Sequence, residues 1–186
     1  MVLIAFDSEN APLTILVNIF DGLFYASYQT RLIAGAPEPI YLPAQVGDGY
    51  DYHRLCFRED YLSSALHEIA HWCLAGQRRR QLEDFGYWYE PDGRNVEQQR
   101  LFEAAEVKPQ ALEWMFSVAC GQPFCLSVDN LSSGQLSPSS EFAKSVSKQV
   151  RLWCGPDALP NRAQQMLDAL AETFGVANPK DRTYYQ

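Results

Sequence analysis

Ala65-Leu66-His67-Glu68-Ile69-Ala70-His71-Trp72 is the stretch on which the reading of this chain turns. Four residues of α-helix rotate through about 400°, so His67 and His71 stand about 40° apart on one face, one turn above the other. Both imidazoles then reach one metal ion. Glu68, one residue round, comes close enough to touch a water on that ion. Leu66, Ile69 and Ala70 pack the same helix into a core. The chain holds three histidines, and two of them are here. Adjacent imidazoles on an apolar helix need partners or a metal. A metal site is therefore expected, with a pair of satisfied structural histidines as the alternative.

Working outward, Asp60 suits the N-cap of a helix running from Tyr61 to about Ala75 and closed by Gly76. Upstream, residues 12–28 carry Leu13, Leu16, Val17, Phe20, Leu23 and Phe24 at helical intervals behind Pro12. Residues 38–43 and 52–57 read as short strands around the turn at Gly47-Asp48-Gly49. Downstream comes a brief basic helical piece, residues 77–85, then a strand at Gly86-Tyr87-Trp88-Tyr89 and a turn at Pro91-Asp92-Gly93. A long helix is expected from Val96 to Ala119, kinked or restarted near Pro109. Residues 130–140 are a loop by composition. Helices near Glu141–Trp153 and Asn161–Thr173 finish the domain, and the polar tail after Val176 should fray. The expected fold is α+β: one compact domain over residues 1–186, several helices packed with a small mixed sheet, and a metal site on a central helix. Residues 1–10 and 177–186 are expected to be peripheral.

Composition narrows the function. The chain has 186 residues, 47% of them hydrophobic, which suits a single well-packed domain. Its net charge of −8 offers no global positive field to steer phosphate, so gripping nucleic acid is not expected to be its main task. No apolar run approaches the length of a membrane span, and the apolar start Met1–Phe6 meets Asp7 and Glu9 at once, so no secretion signal is expected. Five irregularly spaced cysteines without a CxxC fit reduced thiols in a cytoplasmic protein.

Two histidines leave a third ligand to find, and Glu103 and Glu106 in Phe102–Pro109 are the candidates. Three residues apart, they share a helix face. Glu106 is favoured because it adjoins the apolar run Val107, Ala111, Leu112 and Trp114, with Glu103 in support. Two imidazoles and one carboxylate leave coordination positions open, so the metal would be catalytic. With Zn²⁺ and Glu68 as general base, the site would hydrolyse peptides. With Fe²⁺, it is a facial triad that binds dioxygen. Spacing alone does not choose. Among softer features, Arg78-Arg79-Arg80 is an exposed face or a dock for an acidic partner. Phe85–Tyr89 is core or the lining of a substrate channel, and His53 is structural.

Several segments in one order carry a resemblance. They are Thr30-Arg31-Leu32 and Gly35, Glu38–Ala44, His67–Cys73, Asp84–Tyr89 with Pro91–Arg94, Glu106–Leu112, Pro123-Phe124, and Ser127 with Asp129–Leu131. With these, the chain resembles the bacterial elongation factor P hydroxylase family over about residues 13–131. The resemblance implies a non-haem iron monooxygenase that hydroxylates a lysine of elongation factor P after that lysine has been β-lysylated. It implies Fe(II) held by His67, His71 and Glu106, with dioxygen as cosubstrate, and it leaves any organic cosubstrate open. Glu68 would then hold a water or a proton path rather than act as a base. The long lysylated side chain would enter a slot walled by Tyr87, Trp88 and Glu103. A lysine methylene has neither an acidic proton nor a leaving group, so a redox metal suits it where a Lewis acid does not. The alternatives are the zinc peptidase and a binding module with a vestigial metal site.

Overall fold

A computed structural model describes residues 11–45, 49–59, 61–83, 94–127, 138–156 and 158–186. In chain order these form α1 (Ala11–Tyr28), β1 (Thr30–Ala36), β2 (Ile40–Leu42), β3 (His53–Arg58), α2 (Leu62–Leu74), α3 (Val96–Ala119), α4 (Ser140–Trp153) and α5 (Asn161–Phe174). Single turns of 3₁₀-helix occur at Arg79–Gln81 and Arg182–Tyr184. Five helices and a small sheet of both strand directions make the α+β domain that the sequence leads one to expect. The strand expected at Gly86–Tyr89, the turn at Pro91–Gly93 and most of the loop at 130–140 lie outside the described residues.

The sheet has the order β1-β3-β2, with β3 parallel to β1 and antiparallel to β2. β1 is not predicted by the sequence pattern. Thr30 and Leu32 alternate inward, but the alternation stops where a bulge interrupts pairing between Ile33 and Ala36. Gly35 takes the left-handed φ of 79° that the bulge requires. Its N–H donates to the Glu59 carbonyl at 3.0 Å, and the Glu59 N–H donates to the Ala36 carbonyl at 3.0 Å. This clasp fixes the turn that launches α2 from β3.

α2 packs against β3, α3 and α5. Ala65, Leu66, Ile69, Ala70 and Cys73 are buried at the spacing of one helical face. They meet Phe20 and Phe24 of α1, Phe57 of β3, and Leu112, Met115 and Phe116 of α3 in one core. Trp72 is enclosed by Phe20, Phe24 and Tyr28, with ring centroids 5.0, 4.8 and 5.4 Å away.

Asp60 lies outside the described residues, and Tyr61, at the N-cap position, makes no side-chain cap bond. The far end also differs from expectation. Gly76 does not close α2; Ala75 leaves it in extended conformation. Its last carbonyls are taken instead by a guanidinium from α5. Arg162 Nη2 donates to the carbonyls of Trp72 and Cys73, both at 3.0 Å, and to that of Ala75. Arg80 Nη1 adds a second bond to Ala75 at 2.7 Å. Cations there satisfy orphan acceptors and complement the helix dipole. Arg80, read in the sequence as part of a basic run, is thus turned inward.

α3 starts at Asn95 and Gln98, which cap each other's backbone N–H groups reciprocally. It continues as one helix through Pro109 rather than restarting there. The tail does not fray by its polar composition. Tyr185 is fully buried, its hydroxyl donates to the Pro179 carbonyl, and its ring meets Trp114 edge-on at 5.4 Å. All five cysteines are free thiols. No helix among the described residues is long and apolar enough to cross a membrane.

Candidate metal centre

α3 carries an unusual buried face. Gln99, Glu103, Glu106, Gln110, Glu113 and Ser117 are all buried, spaced alternately by four and three residues. That spacing keeps one stripe of a helix against its neighbours. A polar stripe in a core costs free energy unless each group finds a partner. Glu103 accepts the backbone N–H of Ser139 at 3.3 Å and its hydroxyl at 2.6 Å, while Ser139 Oγ caps α4 through the Phe142 N–H. Gln110 pairs with the backbone of Ser127 in both directions, at 2.8 and 3.0 Å, and also bonds Glu106.

Glu106 and Glu113 face the histidines of α2. His71 Nε2 lies 3.3 Å from Glu106 Oε1, and His67 Nε2 lies 3.6 Å from Glu106 Oε2. The two Nε2 atoms are 3.0 Å apart. His67 Nδ1–H donates to Glu113 Oε2 at 2.8 Å, which turns Nε2 toward the shared point. His67, His71 and Glu106 each offer one donor atom, all within 4.8 Å of one another. Donors about 2.1 Å from a common ion sit roughly 3.0 to 3.4 Å apart, so the cluster has the dimensions of a divalent site.

The electrostatics agree with a cation. Burial pushes the Glu106 carboxyl up, but His71, His67 and Gln110 outweigh it and hold the group below the usual carboxylate range. Its Oε2 is buried and makes no hydrogen bond. An ionised oxygen with a spare lone pair beside two imidazoles is a donor awaiting a partner. Burial opposes charge on His67, yet Glu113, Glu106 and Glu68 together push it up to about 10. Three carboxyl groups, of Glu68, Glu106 and Glu113, thus surround the imidazole pair. Glu68 sits one residue beyond His67, half-buried, its carboxyl raised by burial against the pull of both imidazoles. Two nitrogens and one carboxylate suit iron or zinc and fill only one side of an ion.

Of the residues singled out in the sequence, the structure thus brings His67, His71 and Glu106 together, with Glu68 alongside. Glu103 is not with them; its carboxylate is occupied at the start of α4. Tyr87, Trp88 and Asp129-Asn130 lie outside the described residues. His53 accepts the Ala44 N–H at 2.9 Å and stacks on Tyr41, a structural role. Glu113 escaped the sequence reading. Its signal was its place seven residues after Glu106, two turns along the same face.

The family model for elongation factor P hydroxylase matches residues 19–184, well past the segment over which the motifs carry the resemblance. The elongation factor P lysine hydroxylase of Haemophilus influenzae is 49% identical over 161 residues, which cover 87% of this chain and 88% of that relative.

Proposed function

The chain belongs to the elongation factor P hydroxylase family, and on that premise we propose that it hydroxylates the β-lysylated lysine of elongation factor P with ferrous iron and dioxygen. The observation that carries this reading is the convergence of His67, His71 and Glu106 on one point. When bound there, iron supplies the activation of dioxygen that a lysine methylene demands and no amino-acid side chain provides.

The remaining work belongs to the chain's own groups. Glu113 holds the proton on His67 Nδ1, which leaves Nε2 free as a donor. Gln110 aims the Glu106 carboxylate and is itself locked to the Ser127 backbone. The apolar side chains of α2 and α3 keep water from the inner side of the site. Glu68 holds or passes a proton at the open side. The carboxylates draw in the cationic amines of the lysylated side chain. Glu103 supports α4 in this reading and does not touch the substrate. The chain acts as a single hydroxylase domain in the cytoplasm, where a translation factor is found, with no nucleic acid or membrane involved.

The test is direct. The chain is prepared without oxygen, its metal is assayed, and lysylated elongation factor P is added with ferrous iron and air. The intact factor should gain one oxygen atom by mass. A shortened factor would mean a peptidase, and an unchanged factor with metal bound would mean a binding module.

A further inference from the structure

On a chain of net charge −8, cations are scarce, and where they gather is informative. A groove of about 680 Å³ runs beside α4, between that helix and the tail. Lys144, Lys148 and Arg151 line it from α4, at intervals of four and three residues, and Arg182 faces them from the tail. All four are exposed. Among the described residues, no Asp or Glu side chain lines this groove. Among the described residues, no carboxylate forms an ion pair with Lys144, Lys148 or Arg151. Its apolar surface comes from Trp114 and Leu126, and Leu152, 60% exposed, stands on the ridge it shares with a second groove beyond α4.

Five other arginines are engaged within the fold. Arg31, Arg54, Arg94 and Arg162 lie over aromatic rings, and Arg80 caps α2. The α4 cations have no such occupation. Trp114 follows Glu113 on α3, and one residue of helix turns through about 100°, so the groove opens on a different face from the metal cluster.

Resting on the function proposed above, we infer that this groove docks an acidic and partly apolar segment of the protein substrate, remote from the lysine being oxidised. The two ends of the enzyme then carry opposite demands. The carboxyl groups around the metal cluster suit the cationic lysylated side chain, and the positive groove attracts acidic surface elsewhere on the same protein. Opposed patches of this kind fix orientation and speed encounter more than they add raw affinity. A protein segment fits better than RNA, because the overall charge repels a phosphate backbone and Trp114 is already stacked on Phe124 at 5.3 Å.

The test is steady-state hydroxylation of intact lysylated elongation factor P by the iron-loaded chain and by the variant Lys144→Glu/Lys148→Glu/Arg151→Glu. KM should rise about tenfold or more at low ionic strength, with kcat unchanged and the difference shrinking in high salt. Should reversal impair folding, seen as a lowered melting point, Lys144→Gln/Lys148→Gln/Arg151→Gln should raise KM about threefold. An unmoved KM in the folded variant overturns the inference, as does loss of RNA binding without change in KM. If the parent chain itself leaves the factor unoxidised, the functional reading falls and takes this inference with it.

Discussion

Glu113 grips His67 across the α2–α3 interface, Oε2 to Nδ1 at 2.8 Å, and so decides which ring nitrogen faces His71 and Glu106. An imidazole presents one lone pair when neutral, and a carboxylate at the opposite nitrogen fixes where it lies. Glu113→Ala is expected to weaken metal binding about 10- to 100-fold, measured by competition with a chelator, while Glu113→Gln should lose less. Equal affinity in all three proteins would refute this role.

Glu103 and Glu106 lie one turn apart, and their substitution should separate metal from stability. Glu106→Ala, like His67→Ala and His71→Ala, is expected to abolish metal content and activity. Glu103→Ala should retain metal. It should lose about 1 kcal/mol of stability, because Glu103 steadies the serine that caps α4. Metal lost from Glu103→Ala and kept in Glu106→Ala would reverse the assignment.

Arg162 joins three carbonyls at the end of α2 and lies 4.6 Å from the Trp72 ring centroid. Its loss strips partners from buried acceptors, so Arg162→Ala should cost roughly 2 to 4 kcal/mol in urea unfolding. Arg162→Lys, with one compact ammonium in place of the planar fork, should fall between. A loss below about 0.5 kcal/mol, the range of ordinary surface changes, would rule out the clamp.

Asp21 supplies a pH-dependent prediction. It accepts the Leu32 N–H at 3.0 Å, covering the outer edge of the sheet at β1. Burial raises its pKa, against the Leu32 bond and the Arg31 charge. A carboxyl raised in the fold keeps its proton longer there than in the unfolded chain. The stability this contributes is present at acid pH and is lost as pH rises through the folded value. Asp21→Asn keeps an oxygen for Leu32 and has no charge to bury, so it should match or exceed the parent's stability at neutral pH. The gap should close toward about pH 4. A destabilised variant at neutral pH with no such convergence would count against this.

The thiols should react in order of exposure. Burial pushes Cys73 and Cys120 up to about 12, and both are enclosed, whereas Cys125 is exposed. A maleimide at neutral pH should label Cys125 within minutes and reach Cys73 and Cys120 only on unfolding, as peptide mapping would show. Rapid labelling of Cys73 in the folded protein would contradict the packing around Trp72.

Local periodicity made the helices and the histidine pair legible before any coordinates. His67 and His71 share a face because of helix geometry alone, and residues 96–119 and 161–174 carry apolar repeats strong enough to bound their helices closely. β1 was not legible, because a strand with a bulge and small residues becomes one only when β3 pairs with it. The end of α2 was not legible either. Gly76 is the local stop signal, but the carbonyls are held by a residue nearly ninety positions away. The tail looked loose because its polarity is visible in sequence, while the pocket that receives Tyr185 is not.

What the sequence determined by itself is the pair of imidazoles, the kind of chemistry two such groups invite, and, through motifs in order, the family. All of these are properties of residues near one another along the chain. The tertiary structure decided which carboxylate completes the cluster, which one merely orients a histidine, and which steadies the serine that caps a distant helix. Glu103, Glu106 and Glu113 occupy one stripe of α3 and look alike in sequence. Their roles part only where α2 and the start of α4 pack against different levels of that stripe, because a buried carboxylate takes its function from the partner within reach.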